Sequence, residues 1–511
     1  MRDVWSVAQI RAAEEALIDR VGGHVVMQRA AYGLAVHCGQ ILGRRYGARV
    51  ILLVGAGNNG GDALYAGALL AGRGASVHAV LFAPERVHVG GVLALVDAGG
   101  TTGIPDGARP LLDGADLVVD GIVGIGGRGA LRSPADDLLR DLGAPVVAVD
   151  VPSGVDADTG RVAGAAVAAT ATVTFGGLKA GLVVGAGADR SGAVHEVDIG
   201  LRPHLGEPAA RILQDADVAA LLPVPGPGDD KYSRGVVGVA SGSSSYEGAA
   251  VLSVGGALRA KAGLVRYAGY AVAGVRARWP EAVVTEGRPG AAGRVQAWVV
   301  GPGLGTDEQA SGLVREVLAA DVPVLVDADG LTVLAGELGL LRGRRAPTLL
   351  TPHDREFERL FGPVGHDRLG AARRAAADSG AVVLLKGQAT IVAGPDGRAL
   401  VNPTGSGWLA TAGTGDVLSG VAGALLAAGL DPLDAAGAAA YLHGLAGGLA
   451  AGAGYPAGLP AIRARMAELL VIRARMTVVE RGAPIVASDV IEALPAAWRS
   501  VRSGGAPGRR R

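Results

Sequence analysis

Short runs of almost uninterrupted apolar residues recur through the first half of the chain: Arg49–Val54, Ser76–Phe82, Asp116–Asp120 and Pro145–Asp150, the last two ending in an acid. A strand with no polar face must be covered on both sides, and helical stretches such as Gly61–Gly72 alternate with these runs. The pattern therefore predicts a parallel sheet with helices on both faces. Ligands of such sheets collect beyond the carboxyl ends of the strands. Asn58–Asp62, Asp120 and Asp150 are all expected there. Ahead of the first strand, Ser6 and Gln9 match a capping box before an amphipathic run to Asp19, which reads as a helix.

The alternation lapses after His195–Gly200, and the Pro/Gly-rich stretch Leu222–Asp230 reads as an interdomain segment. A second series follows, with strands predicted at Gly235–Ala240, Gln296–Val300, Val322–Asp327, Ala346–Leu350 and Ala381–Leu385. For 511 residues two domains are the default, here 1–212 and 213–495, with 496–511 expected as a disordered basic tail. The echo of Ile462–Met466 at Ile472–Met476 is expected to be a solvated, arginine-bearing helix face.

Composition narrows the function classes. Lys+Arg and Asp+Glu number 48 each, so no basic field attracts nucleic acid or anionic lipid. The single cysteine, Cys38, excludes a disulfide framework and a multi-cysteine zinc site, and suits a cytoplasmic setting. No membrane contact is expected: Val417–Leu430 is too short to span, and the Ala/Gly-rich Ala435–Gly454, which contains His443, reads as a buried helix.

Val54-Gly-Ala-Gly-Asn-Asn-Gly-Gly-Asp62 places G-x-G-x-x-G between a strand and a helix, the context of a dinucleotide fingerprint. Two features resist that reading. Asp62 is expected in the helix's first turn, where its charge would compete with a pyrophosphate for N–H groups. The acid that should end the second strand is also missing, with Phe82-Ala83-Pro84 in its place. Joined in order by Val119-Asp-Gly-Ile-Val-Gly-Ile-Gly126 and Val149-Asp-Val-Pro-Ser-Gly-Val-Asp-Ala-Asp-Thr-Gly160, the loop resembles the YjeF N-terminal domain, the NAD(P)H-hydrate epimerase family, over roughly residues 1–210.

The resemblance implies a Rossmann-like three-layer sandwich in which Asn59, Asp120 and Ser153 ligate potassium. Asn58, Asn59, Gly60, Gly61, Asp62, Asp150 and the loop Gly124, Ile125, Gly126, Gly127, Arg128, Gly129 and Ala130 would face the substrate, with Asp150 as the catalytic residue that moves the proton. Ala63 stands where the family has glycine, a methyl expected to narrow the pocket or shift the loop. In hydrated NADH or NADPH the ring nitrogen can expel the neighbouring hydroxyl, and water can return from either face while a carboxylate shuttles the proton. The competing reading of Asp120 and Asp150 is a strand-end turn acid.

In the second half, Gly413-Thr-Gly-Asp416 precedes the apolar helical run Val417–Leu426. Such a turn presents N–H groups to phosphate oxygens, and Asp416 can take the proton of an attacking hydroxyl. Leu385-Lys-Gly-Gln-Ala-Thr390, Gly301-Pro-Gly-Leu-Gly305 and Thr351-Pro-His-Asp-Arg-Glu356 add strand-end loops. With Gly242–Ala249 and Ala257–Leu264, the ordered set resembles the ribokinase-like YjeF C-terminal domain, the ADP- or ATP-dependent NAD(P)H-hydrate dehydratase family, over roughly 213–495.

That resemblance implies an α/β domain in which Ala249, Gly303, His353 and the catalytic Asp416 face the hydrated cofactor. Lys386, Gly387, Gln388, Ala389, Thr390 and Gly415 would hold the adenine nucleotide, ADP or ATP with ADP favoured by the family analogy, with Mg2+ on its phosphates. For His353 the competing reading is a helix cap. Gly405-Ser406 and Trp408-Leu409 replace the family's Gly-Asn and its small residue and Met, changes expected at the lip of the site.

The two resemblances together imply a bifunctional repair enzyme, expected as a homo-oligomer, whose partner is a small molecule, hydrated NADH or NADPH. A small-molecule kinase of the ribokinase type, such as a hydroxymethylpyrimidine kinase, accounts for Gly413–Asp416 but leaves the first domain unexplained. A non-catalytic scaffold has no need of Asn59, Asp120, Asp150 and Ser153 together.

Overall fold

A computed structural model describes residues 1–44, 46–452 and 482–504. They form two compact units, one of residues 3–210 and one of residues 211–452 and 482–504 together with Met1 and Arg2. The arginine-bearing echo at 462–476 and residues 505–511 lie outside the described residues.

In the N-terminal unit the strands are β1 (Arg2–Trp5), β2 (Arg49–Val54), β3 (Ser76–Leu81), β4 (Thr101–Gly103), β5 (Leu117–Gly121), β6 (Val146–Val149), β7 (Ala171–Phe175), β8 (Leu178–Lys179) and β9 (Ala193–Val197). Seven of them form a sheet in the order β4-β3-β2-β5-β6-β7-β9, parallel at every pairing. The alternation of side chains along β2 explains the covering on both faces. Val50, Leu52 and Val54 pack with residues of the helices Val7–Val21, Gly23–Leu42 and Asn58–Ala71, whereas Ile51 and Leu53 pack with Leu112, Ala135 and Leu138 on the other side. The expected three-layer α/β sandwich is present. The first helix is capped as predicted: Ser6 Oγ accepts from Gln9 N, and Gln9 Oε1 accepts from Ser6 N.

The C-terminal unit contains β10 (Ala210–Ile212), β11 (Val236–Ala240), β12 (Leu264–Gly269), β13 (Val283–Glu286), β14 (Ala297–Val300), β15 (Val324–Val326), β16 (Thr348–Leu350), β17 (Val382–Leu385), β18 (Thr390–Ala393) and β19 (Ala399–Asn402). Their order is β13-β12-β11-β14-β15-β16-β17-β18-β19-β10. Pairing is parallel from β13 to β17 and antiparallel at β17–β18 and β18–β19. The hairpin turns at Pro395-Asp396-Gly397, where Gly397 takes the left-handed φ of 86°.

The apolar segments of the second half are internal helices, Thr414–Ala427 and Pro432–Ala450, almost wholly buried. No helix among the described residues is long and apolar enough to cross a membrane. Helix Thr414–Ala427 lies backbone to backbone on helix Glu247–Arg259: a Cβ at Gly420 would sit 2.1 Å from Ser253 O, and one at Gly256 would sit 2.3 Å from Val417 O.

Two boundary expectations are corrected. Helix Asp215–Leu221 buries Val218, and Leu222 follows it into the C-terminal core. The Pro/Gly-rich stretch 222–230 is thus a connection inside the second unit. Residues 496–504 are no tail, since helix Ala487–Gly504 continues through them and buries Trp498 and Val501 in the same core.

The close helix contact yields a stability test. Gly420→Ala forces a methyl against a backbone carbonyl and is expected to cost about 1–3 kcal/mol, read as a lower urea midpoint of the C-terminal unit. Gly248→Ala, with open space around its Cβ, should leave the midpoint unchanged or slightly raised.

Candidate active sites

Helix Asn58–Ala71 starts directly after Gly57, whose φ of 89° turns the chain out of β2. Asn58 and Asn59 are therefore helical residues, and Asp62 is the fifth position instead of part of the first turn. The loop is pressed onto its neighbours. A Cβ at Gly55 would lie 1.9 Å from Ile122 O, and one at Gly60 would lie 2.4 Å from Gly55 O. This approach seats Asn59 beside the loop after β5, with its Oδ1 2.7 Å from where a Gly124 Cβ would stand. Asn59 Nδ2 is buried without a partner.

Asp120, at the end of β5, is fully buried. Its Oδ1 accepts from Ser153 Oγ at 2.7 Å and Ile122 N at 3.3 Å, and its Oδ2 accepts from Ser153 N at 2.8 Å. Burial pushes this carboxyl up to about 6, against the pull of the Ser153 and Ile122 hydrogen bonds. Ser153 Oγ also accepts from Val123 N at 3.0 Å. Asn59, Asp120 and Ser153 thus converge on the loop after β5. The Ala63 methyl does not face the pocket. It is wholly buried against the sheet, 2.7 Å from where a Gly121 Cβ would be, so the expected narrowing is corrected.

Asp150 follows β6 with a φ of 67°, a left-handed conformation uncommon outside glycine and asparagine. Lys179 Nζ donates to Asp150 Oδ1 at 2.5 Å, and Thr174 Oγ1 and Phe175 N donate to the same oxygen at 3.1 and 3.2 Å. Burial pushes Asp62 well above the usual carboxylate range, reinforced by the charges of Asp150 and Glu14 and opposed by Lys179. Glu14, on helix Val7–Val21, is raised by burial and by Asp150, with Lys179 and Arg11 opposing. The loop 124–130 is half-buried to exposed, and Gly126 lies beside Arg11 Nη2.

In the C-terminal unit, Gly413 caps helix Thr414–Ala427 with a φ of 85° and no side-chain cap, and its missing side chain makes room for Leu252 Cδ1 at 2.4 Å. Asp416 stands in the first turn. Burial pushes its carboxyl up to about 7, with Asp327, Asp329 and Glu356 adding to the rise and Lys386 opposing it. Lys386 Nζ donates to Asp327 Oδ1 at 2.8 Å and lies 3.7 Å from Glu356 Oε2. Burial disfavours the ammonium, but Asp327, Glu356 and Asp416 together hold it above the ordinary lysine value. Asp327 Oδ2 accepts from the buried Ser419 Oγ at 2.6 Å.

Gly415 faces Lys386, with Nζ 3.5 Å from a built Cβ. Gly303 (φ 65°) abuts Ala249, whose Cβ is 2.6 Å from a built one. Thr390 Oγ1 donates to Gly387 O at 3.1 Å, which closes the turn through Gln388 and Ala389. His353 is the N-cap of helix Asp354–Phe361: Nδ1 accepts from Arg355 N and Glu356 N at 3.1 and 3.3 Å. Trp408 and Leu409 are each half-buried. They pack onto the C-terminal core, against Gly482 and Gly447 respectively, and Leu409 O accepts from Thr414 Oγ1 at 2.8 Å at the start of helix Thr414–Ala427.

Residues 23–181 match the family described as YjeF-related protein N-terminus, and residues 237–467 match the family described as NAD(P)H-hydrate dehydratase. The bifunctional NAD(P)H-hydrate repair enzyme Nnr of Mycobacterium leprae is 51% identical over 478 residues, which cover 91% of this chain and 98% of that protein. The chain belongs to the family of bifunctional NAD(P)H-hydrate repair enzymes. The Mycobacterium tuberculosis enzyme of the same name is 52% identical over 444 residues, covering 85% of this chain and 91% of its own. The solved ADP/ATP-dependent NAD(P)H-hydrate dehydratase of Bacillus subtilis, co-crystallised with ATP and Mg2+, is 30% identical, with a TM-score of 0.46, and covers 57% of this chain and 99% of that one.

Sequence reasoning about this repair-enzyme chain missed Lys179, Asp327, Ser419 and Arg368, whose Nη2 donates to Lys386 O at 2.9 Å. Lys179 had a signal: it is the only charged residue between Thr170 and Asp189. Asp327 repeats the pattern of an acid after an apolar strand. Ser419 and Arg368 had none.

One carboxyl titrating near 7 is expected in 13C spectra of aspartate-labelled protein and should vanish in Asp416→Asn. Lys386→Met should move it further up, because the cation that favours the ionised form is gone.

Proposed function

We propose that the N-terminal unit interconverts the R and S hydrates of NADH and NADPH, and that the C-terminal unit dehydrates the S form with an adenine nucleotide, ADP in preference to ATP. The observation that carries this reading is the convergence of Asn59, Asp120 and Ser153 on one loop, with Asp150 ending the strand paired beside that of Asp120. Neither a small-molecule kinase nor a scaffold requires that constellation.

In the first reaction the ring nitrogen expels the hydroxyl, and Asp150 exchanges the proton with the departing and returning oxygen. Potassium suits the neighbouring donors. Asp120 is a fully buried carboxylate that pairs with no lysine or arginine among the described residues, and its neighbours offer hard oxygens. Asn59, Asp120 and Ser153 would hold the ion, which would supply a compensating charge to Asp120.

In the second reaction, Asp416 accepts the proton of the substrate hydroxyl as its oxygen bonds to the terminal phosphorus and the nucleotide's bridging P–O bond breaks. The phosphate then departs with the C–O electrons, driven by the ring nitrogen, and loss of the adjacent ring proton restores NAD(P)H. The uncapped N–H groups after Gly413 and the Lys386 ammonium would meet the transferred phosphate, and Mg2+ would enter with the nucleotide, on its phosphates. A homo-oligomer is also inferred. Val89, Leu93 and Val96 form an exposed apolar stripe along helix Val89–Asp97, and light scattering should give a multiple of 50.8 kDa.

The test is a mixture of both hydrate epimers followed by NAD(P)H absorbance. Wild type should consume the mixture fully, only with nucleotide, and faster with ADP; dehydration without nucleotide would refute phosphoryl transfer. Asp416→Asn should slow dehydration by about 10²–10⁴-fold. Asp150→Asn should give two phases: rapid loss of the S form, then a slow phase at the rate of uncatalysed epimerisation. An unchanged single phase would reassign Asp150 to the turn.

A further inference from the structure

Lys179 is an ammonium only 1% exposed, at the end of β8. A buried cation is costly unless it is paired and its donors are used. Its three N–H groups go to Asp150 Oδ1 at 2.5 Å, Phe175 O at 2.8 Å and Thr174 Oγ1 at 3.0 Å. Thr174 Oγ1 and Phe175 N donate in turn to Asp150 Oδ1. Three donors thus saturate one carboxylate oxygen. The other, Oδ2, has no partner among the described residues and is not among the sealed unpartnered atoms, so it keeps contact with solvent.

We propose that Lys179 is a positioning residue for epimerisation: by clamping Asp150 Oδ1 it leaves Oδ2 as the atom that exchanges the proton with the substrate oxygen. The inference rests on the reading of Asp150 as the proton carrier. It assigns the exchange to one atom and makes a lysine from a different strand answerable for that atom's place. The remaining charged groups about the pair are Glu14 and Arg11 on helix Val7–Val21 and Asp62 on helix Asn58–Ala71. Burial, added to by the Asp150 charge, favours the protonated form of Asp62, so this carboxyl competes little for the ammonium.

Lys179→Met keeps an unbranched apolar stem out to Cε and removes the ammonium. The kcat for conversion of the R hydrate should fall about 100-fold or more, with KM changed by less than about threefold, because the clamp acts on the proton step and not on binding. If Lys179 acts only through Asp150, adding Lys179→Met to Asp150→Asn should cause no further loss. That double variant carries no uncompensated buried charge and covers the case in which Lys179→Met alone unfolds. Ethylammonium should restore part of the activity of Lys179→Ala and none of that of Asp150→Asn. A folded Lys179→Met with near-normal kcat, a further loss in the double variant, or no rescue by ethylammonium would each overturn the proposal. If Asp150→Asn itself epimerises normally, the underlying reading of Asp150 fails instead. If Asp150→Asn is inactive while Lys179→Met is active, only the clamp is lost.

Discussion

Carboxylates buried at the carboxyl ends of parallel strands are the constraint on which both sites depend. Asp120, Asp150 and Asp327 are each within a few per cent of complete burial. A carboxylate there costs several kcal/mol unless opposing charge or hydrogen bonds compensate it. The chain meets this demand in three ways. Asp150 has an ammonium at 2.5 Å, and Asp327 has one at 2.8 Å plus the Ser419 hydroxyl. Asp120 has hydrogen bonds alone, and its carboxyl accordingly rises to about 6. The acid least compensated by the protein is the one proposed to meet an external cation.

Helix starts follow a matching logic. Helix Val7–Val21, which supports the fold, has a full capping box, so its first N–H groups are used. The helices Asn58–Ala71 and Thr414–Ala427 begin at Gly57 and Gly413, with no side-chain cap. Their leading N–H groups stay available to a ligand. Glycine is required there for two reasons at once: the left-handed φ of each N-cap, and the close approach that leaves no room for a Cβ at Gly55, Gly60 or Gly413. At these two helix starts the leading donors are left for a ligand instead of being used by a cap.

Much of this was legible in advance because it depends on local pattern. Continuous apolar runs fix β2, β5 and β6 to within a residue, and the acids that end them mark the sites. What was not legible depends on partners distant in sequence or on a short turn. The β18–β19 hairpin hides in four-residue strands. Leu222 looks like the edge of a linker until helix Asp215–Leu221 is seen to carry it into the core. The glycines that receive Trp408 and Leu409, Gly482 and Gly447, lie far along the chain, so this packing had no local signal. Ser419 is one of many small residues in a helix, and only its 2.6 Å bond to Asp327, 92 positions away, distinguishes it.

For His353 the capping role is compatible with the proposed role at the site. Its Nδ1 accepts two backbone N–H groups and so carries no proton, which leaves the ring proton on Nε2, 3.4 Å from Glu356 Oε1. Glu356 Oε2 in turn accepts from His353 N and lies 3.7 Å from Lys386, which pairs with Asp327. The cap therefore fixes the ring's tautomer and orientation while joining it to the charges that surround Asp416. Half of the His353 side chain remains exposed. Asp150 obeys the same rule: the turn that gives it a φ of 67° is also what presents Oδ1 to Lys179 and leaves Oδ2 free. A residue locked by its own backbone loses little entropy when it is used, and a strand-end turn is therefore a favourable place for a group that must hold one geometry.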